Sequence, residues 1–234
     1  MKRIIAWLPG HIELGGLIGL LVVVTCVWGF AGIADDVVAG DTARFDETIL
    51  LALRAPDDIT QPLGPAWVQE MMRDLSALGG IGFLTLLTLA TTIWLWLGKN
   101  HRSAIYLLFA VGTGVAISSF AKSLFERPRP DLVPHGSFVH TASFPSGHSM
   151  MAAVVYLTLA VMIARLHESH PMKVFVITLA LFLMIGVGVS RVYLGVHWPT
   201  DVLAGWSLGT AWALLCWVLA GVLARRGVLS SGKS

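Results

Sequence analysis

Charge is scarce in this 234-residue chain: Asp, Glu, Lys and Arg together make up 13% of it, while 56% is hydrophobic. An ordinary soluble domain carries about a quarter of its residues as charges, so the scarcity points to an integral membrane protein. Cysteine is nearly absent too. Cys26 and Cys216 both fall inside apolar runs, which excludes a disulfide framework and any CxxC metal or redox motif. Nor does one sign of charge dominate: sixteen basic side chains face fourteen acidic ones. That balance leaves no electrostatic footprint for a nucleic-acid partner. Internal repeats and low-complexity segments are also missing.

What is present is long apolar sequence. Six runs stand out, at 14–34, 76–97, 104–120, 149–164, 173–189 and 202–224. A helix needs about 20 residues to cross the hydrocarbon core. The first, second and sixth runs meet this directly, and the other three reach it only if their polar ends are helical as well. The pattern predicts an all-α membrane protein of six transmembrane helices in one domain, with residues 1–75 as a first helix plus an outer segment and 76–224 as the core bundle. A cleaved signal peptide is the competing reading of the first run, with Ala31 to Ala34 as its exit. The length of the run and the five that follow favour an uncleaved helix.

Lysine and arginine set the orientation. With a cytoplasmic N-terminus, the inner connections hold nine of them and the outer ones seven: Arg44, Arg54, Arg73, Lys122, Arg127, Arg129 and Arg191. Setting aside Lys122, Arg129 and Arg191 as substrate ligands leaves nine against four. Both termini are therefore expected in the cytoplasm of a cell with a bacterial-type inner membrane, and the polar clusters outside. In the long outer connection, Phe45, Ile49 and Leu53, and again Trp67, Met71 and Leu75, recur at helical spacing, and GPAW offers a helix start. These read as amphipathic helices along the outer interface, with Trp67 at headgroup depth.

Three polar clusters interrupt the apolar pattern and emerge on one side: KSLFERPRP (Lys122 to Pro130), FPSGHS (Phe144 to Ser149) and SRVYLGVHWPTD (Ser190 to Asp201). Arginine at a helix end can be a snorkelling anchor, and for Arg127 anchoring and function are both open. Anchoring does not explain a histidine and an aspartate at a fixed interval. Pro145, Ser146, Gly147 and His148 precede an apolar run, with proline suited to a first helical position. A helix N-terminus binds anions through free N–H groups and its dipole. Gly147 would let the backbone approach the anion and Ser146 would add a hydroxyl donor. Lys122, Arg129 and Arg191 supply three cations, the arginines suited to bidentate grip on phosphate. His197 and Asp201, four apart at the start of the last helix, form a nucleophile and its orienting carboxylate. His148 could protonate the departing oxygen, and no metal or other cofactor is needed. A zinc site built on His135, His140 and His148 is the alternative, but HGSFVH fits no familiar spacing. Those two loop histidines read as solvated, and Glu126 reads as a partner for Arg127 or Arg129.

The same clusters resemble the signature of the type 2 phosphatidic acid phosphatase family, which shares its site with vanadium haloperoxidases and bacterial acid phosphatases. Lysine, six residues and Arg-Pro are Lys122, Arg129 and Pro130. Pro-Ser-Gly-His is Pro145 to His148. Ser-Arg, five residues, His, three residues and Asp are Ser190, Arg191, His197 and Asp201. The match covers about a third of the chain and departs nowhere. The resemblance implies a helical bundle of the membrane branch and a phosphohistidine at His197, supported by Asp201, with His148 as acid. It also implies phosphate binding by Lys122, Arg129, Ser146, Gly147 and Arg191, and backbone-shaping roles for Pro130, Pro145 and Ser190. The expected activity is hydrolysis of a lipid phosphate or diphosphate at the outer face. Phosphatidic acid, phosphatidylglycerol phosphate, undecaprenyl diphosphate and lipid A phosphates are all candidate substrates. A lipid phosphotransferase with the same intermediate, and an anion transporter without one, are the alternatives. Charges gathered at one end of the spans speak against a transport path.

Overall fold

A computed structural model describes residues 8–135 and 141–225. Eight helices follow in order: α1 (Leu8–Ala39), α2 (Ala43–Ala52), α3 (Ala66–Leu78), α4 (Ile81–Leu97), α5 (His101–Leu124), α6 (Gly147–Leu166), α7 (His170–Tyr193) and α8 (Pro199–Arg225). A short antiparallel hairpin, β1 (Arg54–Ala55) and β2 (Asp58–Pro62), lies between α2 and α3. Among the described residues five helices are each long and apolar enough to cross a membrane: α1, α5, α6, α7 and α8. A sixth crossing requires α3 and α4 to be taken together, across a bend of 48°.

The three short apolar runs do gain length from their polar ends, becoming helices of 24, 20 and 24 residues. The run at 76–97 instead breaks at Gly79 and Gly80. Gly80 is extended (φ −71°, ψ 149°) as the cap of α4, and a β-carbon on Gly79 would lie 3.3 Å from Val187 Cγ2 and 3.4 Å from the His148 carbonyl. The glycine pair lets the chain slip between α6 and α7 as it bends.

α6 is the central helix. Ser149 through Thr158, except Met151, are buried against α4, α7 and α8, with Ala152, Ala153, Val155 and Val187 fully enclosed. Small residues set the closest approach: a β-carbon on Gly205 would sit 2.7 Å from the Ser146 carbonyl, and one on Gly209 2.8 Å from Ala153 Cβ. This is the small-xxx-small packing by which membrane helices approach where no hydrophobic force draws them together. α1 packs along α8 and turns Leu17, Leu21 and Trp28 outward, as a lipid-facing surface requires.

The connecting residues 40–65, 125–135, 141–146 and 194–198 gather at one end of the bundle. α2 closes it by burying Leu50 against Val133, Val192 and Val202, and Asp46 against Thr200. The expected apolar stripe of α2 is thus displaced: Ile49 and Leu53 face this cluster, whereas Phe45 is exposed. α3 begins after Gly64-Pro65, as GPAW suggests, but it packs on α7 and leaves Trp67 and Met71 exposed.

Candidate active site

Backbone chemistry aims the functional side chains. α5 ends at Leu124, with Lys122 in its last turn. Arg127 and Arg129 then each precede a proline, a position that disfavours helix and favours extended chain. Two residues apart on such a backbone, both turn to one side, toward the start of α8. Between α7 and α8 the chain reverses at Gly195 (φ 70°), where a β-carbon would press within 2.6 Å of Val133 Cγ2. Backbone bonds from Leu194 to Ser190 and from Val196 to Arg191 close the end of α7. This tight reversal holds Arg191 in the last turn of α7 and His197 just before α8.

The three clusters converge there on a cavity of about 390 Å³. Its polar end is lined by Lys122, Arg129, Gly147, His148, Arg191 and His197; its flank by Ile81, Leu84, Val111, Val115 and Met151. Gly147 brings bare backbone to the wall, since a β-carbon there would lie 3.2 Å from Lys122 Cε. Lys122 is tethered to the Ala142 carbonyl at 2.8 Å. Arg191 is almost wholly buried and donates to Ser76 Oγ of α3 at 2.6 Å.

His197 is buried, with Nδ1 3.3 Å from Asp201 Oδ2 and Nε2 3.2 Å from an Arg129 NH1. A guanidinium can only donate, so Nε2 must accept and the ring proton must lie on Nδ1, toward Asp201. The tautomer therefore puts the Nε2 lone pair on the cavity side of the ring, where Arg129 donates to it. Burial presses the His197 pKa down to about 4, and only in part is this opposed by Asp201, so the ring is neutral at neutral pH. Burial also lowers the Arg129 pKa, against the pull of Asp201.

Asp201 is fully enclosed and all its bonds point one way. Oδ2 accepts from the Trp198 amide at 2.9 Å and from Ser143 Oγ, while Oδ1 accepts from Arg127 at 2.6 Å. Arg127 is thus no headgroup anchor. Its second nitrogen reaches Asp46 at 2.6 Å and Thr42 at 3.0 Å, and Trp198 lies beneath it at 5.7 Å.

Three further expectations change. Ser146 caps α6: it is fully buried, its Oγ accepts from Ser149 Oγ at 2.9 Å and it does not line the cavity, so its hydroxyl serves the helix end. Pro145 precedes that cap instead of occupying the first helical position. Glu126 is exposed, and the arginines bond elsewhere: Arg127 to Asp46, Asp201, Thr42 and Thr200, and Arg129 to His197, Thr141 and backbone carbonyls. Ser190 bonds the Val187 carbonyl inside α7, a shaping role. His135 is exposed, bonded to the Pro130 carbonyl at 2.6 Å, and His140 lies outside the described residues. Among the described residues no group of three His, Cys, Asp or Glu side chains is arranged to hold a metal. Asp46, Ser76 and Ser143 escaped sequence reasoning: the first two precede the motifs and no local spacing ties them to their partners.

Fold and site together define a class: a multi-pass helical membrane protein with a cation-lined, histidine-containing cavity at one end of its bundle. A PAP2 superfamily model matches residues 103–224, and the chain belongs to that superfamily. Phosphatidylglycerophosphatase B of Bacillus subtilis is 36% identical over 148 residues, covering 61% of this chain and 70% of the relative. A lipid A 1-phosphatase of Rhizobium johnstonii is 32% identical over 143 residues, covering 57% of this chain and 51% of the relative, about half its length. The crystal structure of a transmembrane PAP2 type phosphatidylglycerolphosphate phosphatase from Bacillus subtilis superposes with a TM-score of 0.70 at 28% identity. It covers 88% of this chain and 98% of that one.

Proposed function

We propose that this chain is a phosphatase of membrane lipids, cleaving a phosphomonoester or diphosphate at the outer face of a bacterial-type inner membrane through a phosphohistidine on His197. The observation that carries this reading is the two-sided cavity: three cations, the bare Gly147 backbone and two histidines at one end, and an apolar flank from α4, α5 and α6 beside them. A phosphate head with a long apolar tail matches that division.

In this mechanism Lys122, Arg129 and Arg191 hold the phosphate oxygens and the charge that builds on them. The Nε2 lone pair of His197 forms the N–P bond as the P–O bond to the lipid breaks, and His148, protonated once the anionic head sits beside it, gives its proton to the departing oxygen. Asp201 accepts the Nδ1 hydrogen bond and stabilises the positive ring that results. Water then attacks phosphorus, His148 takes its proton, the N–P bond breaks with its electrons returning to Nε2, and inorganic phosphate leaves. The cations supply the electrostatic role that a metal fills in other phosphatases.

The test is release of inorganic phosphate from purified protein in detergent, with chelator present, across phosphatidic acid, phosphatidylglycerol phosphate, undecaprenyl diphosphate and lipid A. Similarity to the Bacillus enzyme puts phosphatidylglycerol phosphate first in that panel. Phosphate release that survives chelator and vanishes in His197→Ala is expected. Full activity in His197→Ala would refute the assignment.

A further inference from the structure

Asp46 belongs to α2, 81 residues before Arg127, and carries no part of the signature. Yet it is fully buried at the active-site end, where Oδ1 accepts from the Thr200 amide at 2.9 Å and Oδ2 from Thr200 Oγ at 2.7 Å and Arg127 at 2.6 Å. The other guanidinium nitrogen of Arg127 meets Asp201 at 2.6 Å. One arginine is therefore clamped between two buried carboxylates, and only one of them touches His197.

Charge counting gives this arrangement a purpose. Arg127 alone against Asp201 would make a neutral pair, and a neutral pair does little for a ring that turns positive. With Asp46 on the far side, Asp46, Arg127 and Asp201 together carry one net negative charge. We infer that Asp46 is a positioning residue for the reaction: acting through Arg127, it keeps Asp201 effectively anionic toward His197 and so stabilises the imidazolium formed when Nε2 attacks phosphorus. The inference rests on the reading of His197 as the nucleophile.

Asp46 also satisfies the free Thr200 amide in the first turn of α8, which is a structural contribution. Asparagine could keep that bond but not the charge, so Asp46→Asn separates the two roles. The other charged and titratable groups facing His197 are Asp201 and Arg127 from the α8 side, Arg129 from the segment after α5, Arg191 from α7, Lys122 from α5 and His148 from α6. All are unchanged in the variant.

The experiment measures kcat/KM for phosphate release against pH in wild type, Asp46→Asn, Asp46→Ser, Thr200→Val and His197→Ala, each confirmed monodisperse in detergent. Ionisation of the substrate is common to all and cancels in the ratio to wild type. Loss of the anion is expected to move the acid limb set by His197 downward by about one pH unit and to lower plateau kcat/KM by about tenfold, the rate equivalent of that shift. Asp46→Ser, smaller and able to admit water, is expected to do the same and reads the effect if the asparagine protein does not fold. Thr200→Val perturbs the same contacts without removing charge and should leave the limb in place. An Asp46 variant with the wild-type limb and plateau, or a Thr200→Val limb shifted as far as that of Asp46→Asn, would overturn the role. An active His197→Ala would instead refute the nucleophile reading beneath it.

Discussion

His197 and Asp201 show how far a spacing can be read. Four residues apart at a helix start, they had to share a face, and the structure has them within 3.3 Å. What the spacing does not encode is how the carboxylate itself is held, by Trp198, Ser143 and Arg127. Asp201→Asn keeps the shape but can present an amide N–H to Nδ1, favouring the wrong tautomer. A fall in kcat of about 10² to 10⁴ is expected with folding intact, measured by phosphate release and checked by unchanged thermal unfolding. Arg127 resisted reading because arginine at a membrane helix end has an ordinary explanation in headgroup contact. Only the fold brings Asp46 to its other side. Ser146 failed for a related reason: a serine before a helix can cap it or face a ligand, and its sequence is the same in both cases.

At the scale of elements, the motif-bearing ends were legible because spans that fall short by apolar count must extend into polar sequence to cross. The hairpin at 54–62 was not, since its strands are only two and five residues long and β2 is almost wholly exposed, without the alternation that marks a half-buried strand. The α6–α8 contact was written in the sequence as small residues but could not be paired there. Its importance is open to measurement, because Gly209→Ala would drive a methyl into Ala153 and the backbone of Met150. Overpacking of this kind costs about 1–3 kcal/mol. A lowered unfolding temperature in detergent is expected, along with reduced activity, since Gly147 and His148 open the same helix. Gly221→Ala on α8, where a β-carbon meets nothing within 4 Å, serves as the control.

Across the whole molecule, the site couples stability to pH. Folded His197 takes up a proton only near pH 4, whereas the unfolded chain does so near 6.5. The unfolded state therefore binds more protons in between, and the stability associated with neutral His197, fully present above about pH 6.5, is lost as pH falls toward 4. Unfolding temperature should drop on acidification through that window, and His197→Gln should drop less. Equal slopes would mean that burial of this ring does not govern the loss. The proposed orientation rests on the distribution of lysine and arginine: a reporter fused after Ser234 should read cytoplasmic, and a periplasmic signal would turn the site inward. The central claim is that His197 carries the phosphoryl group. Brief reaction of the protein with a ³²P-labelled lipid phosphate, alkaline quench and mapping of the label tests it most directly. Alkali-stable, acid-labile label is expected on the peptide holding His197, and none in His197→Ala. Label elsewhere, or steady turnover with none on that histidine, would contradict it.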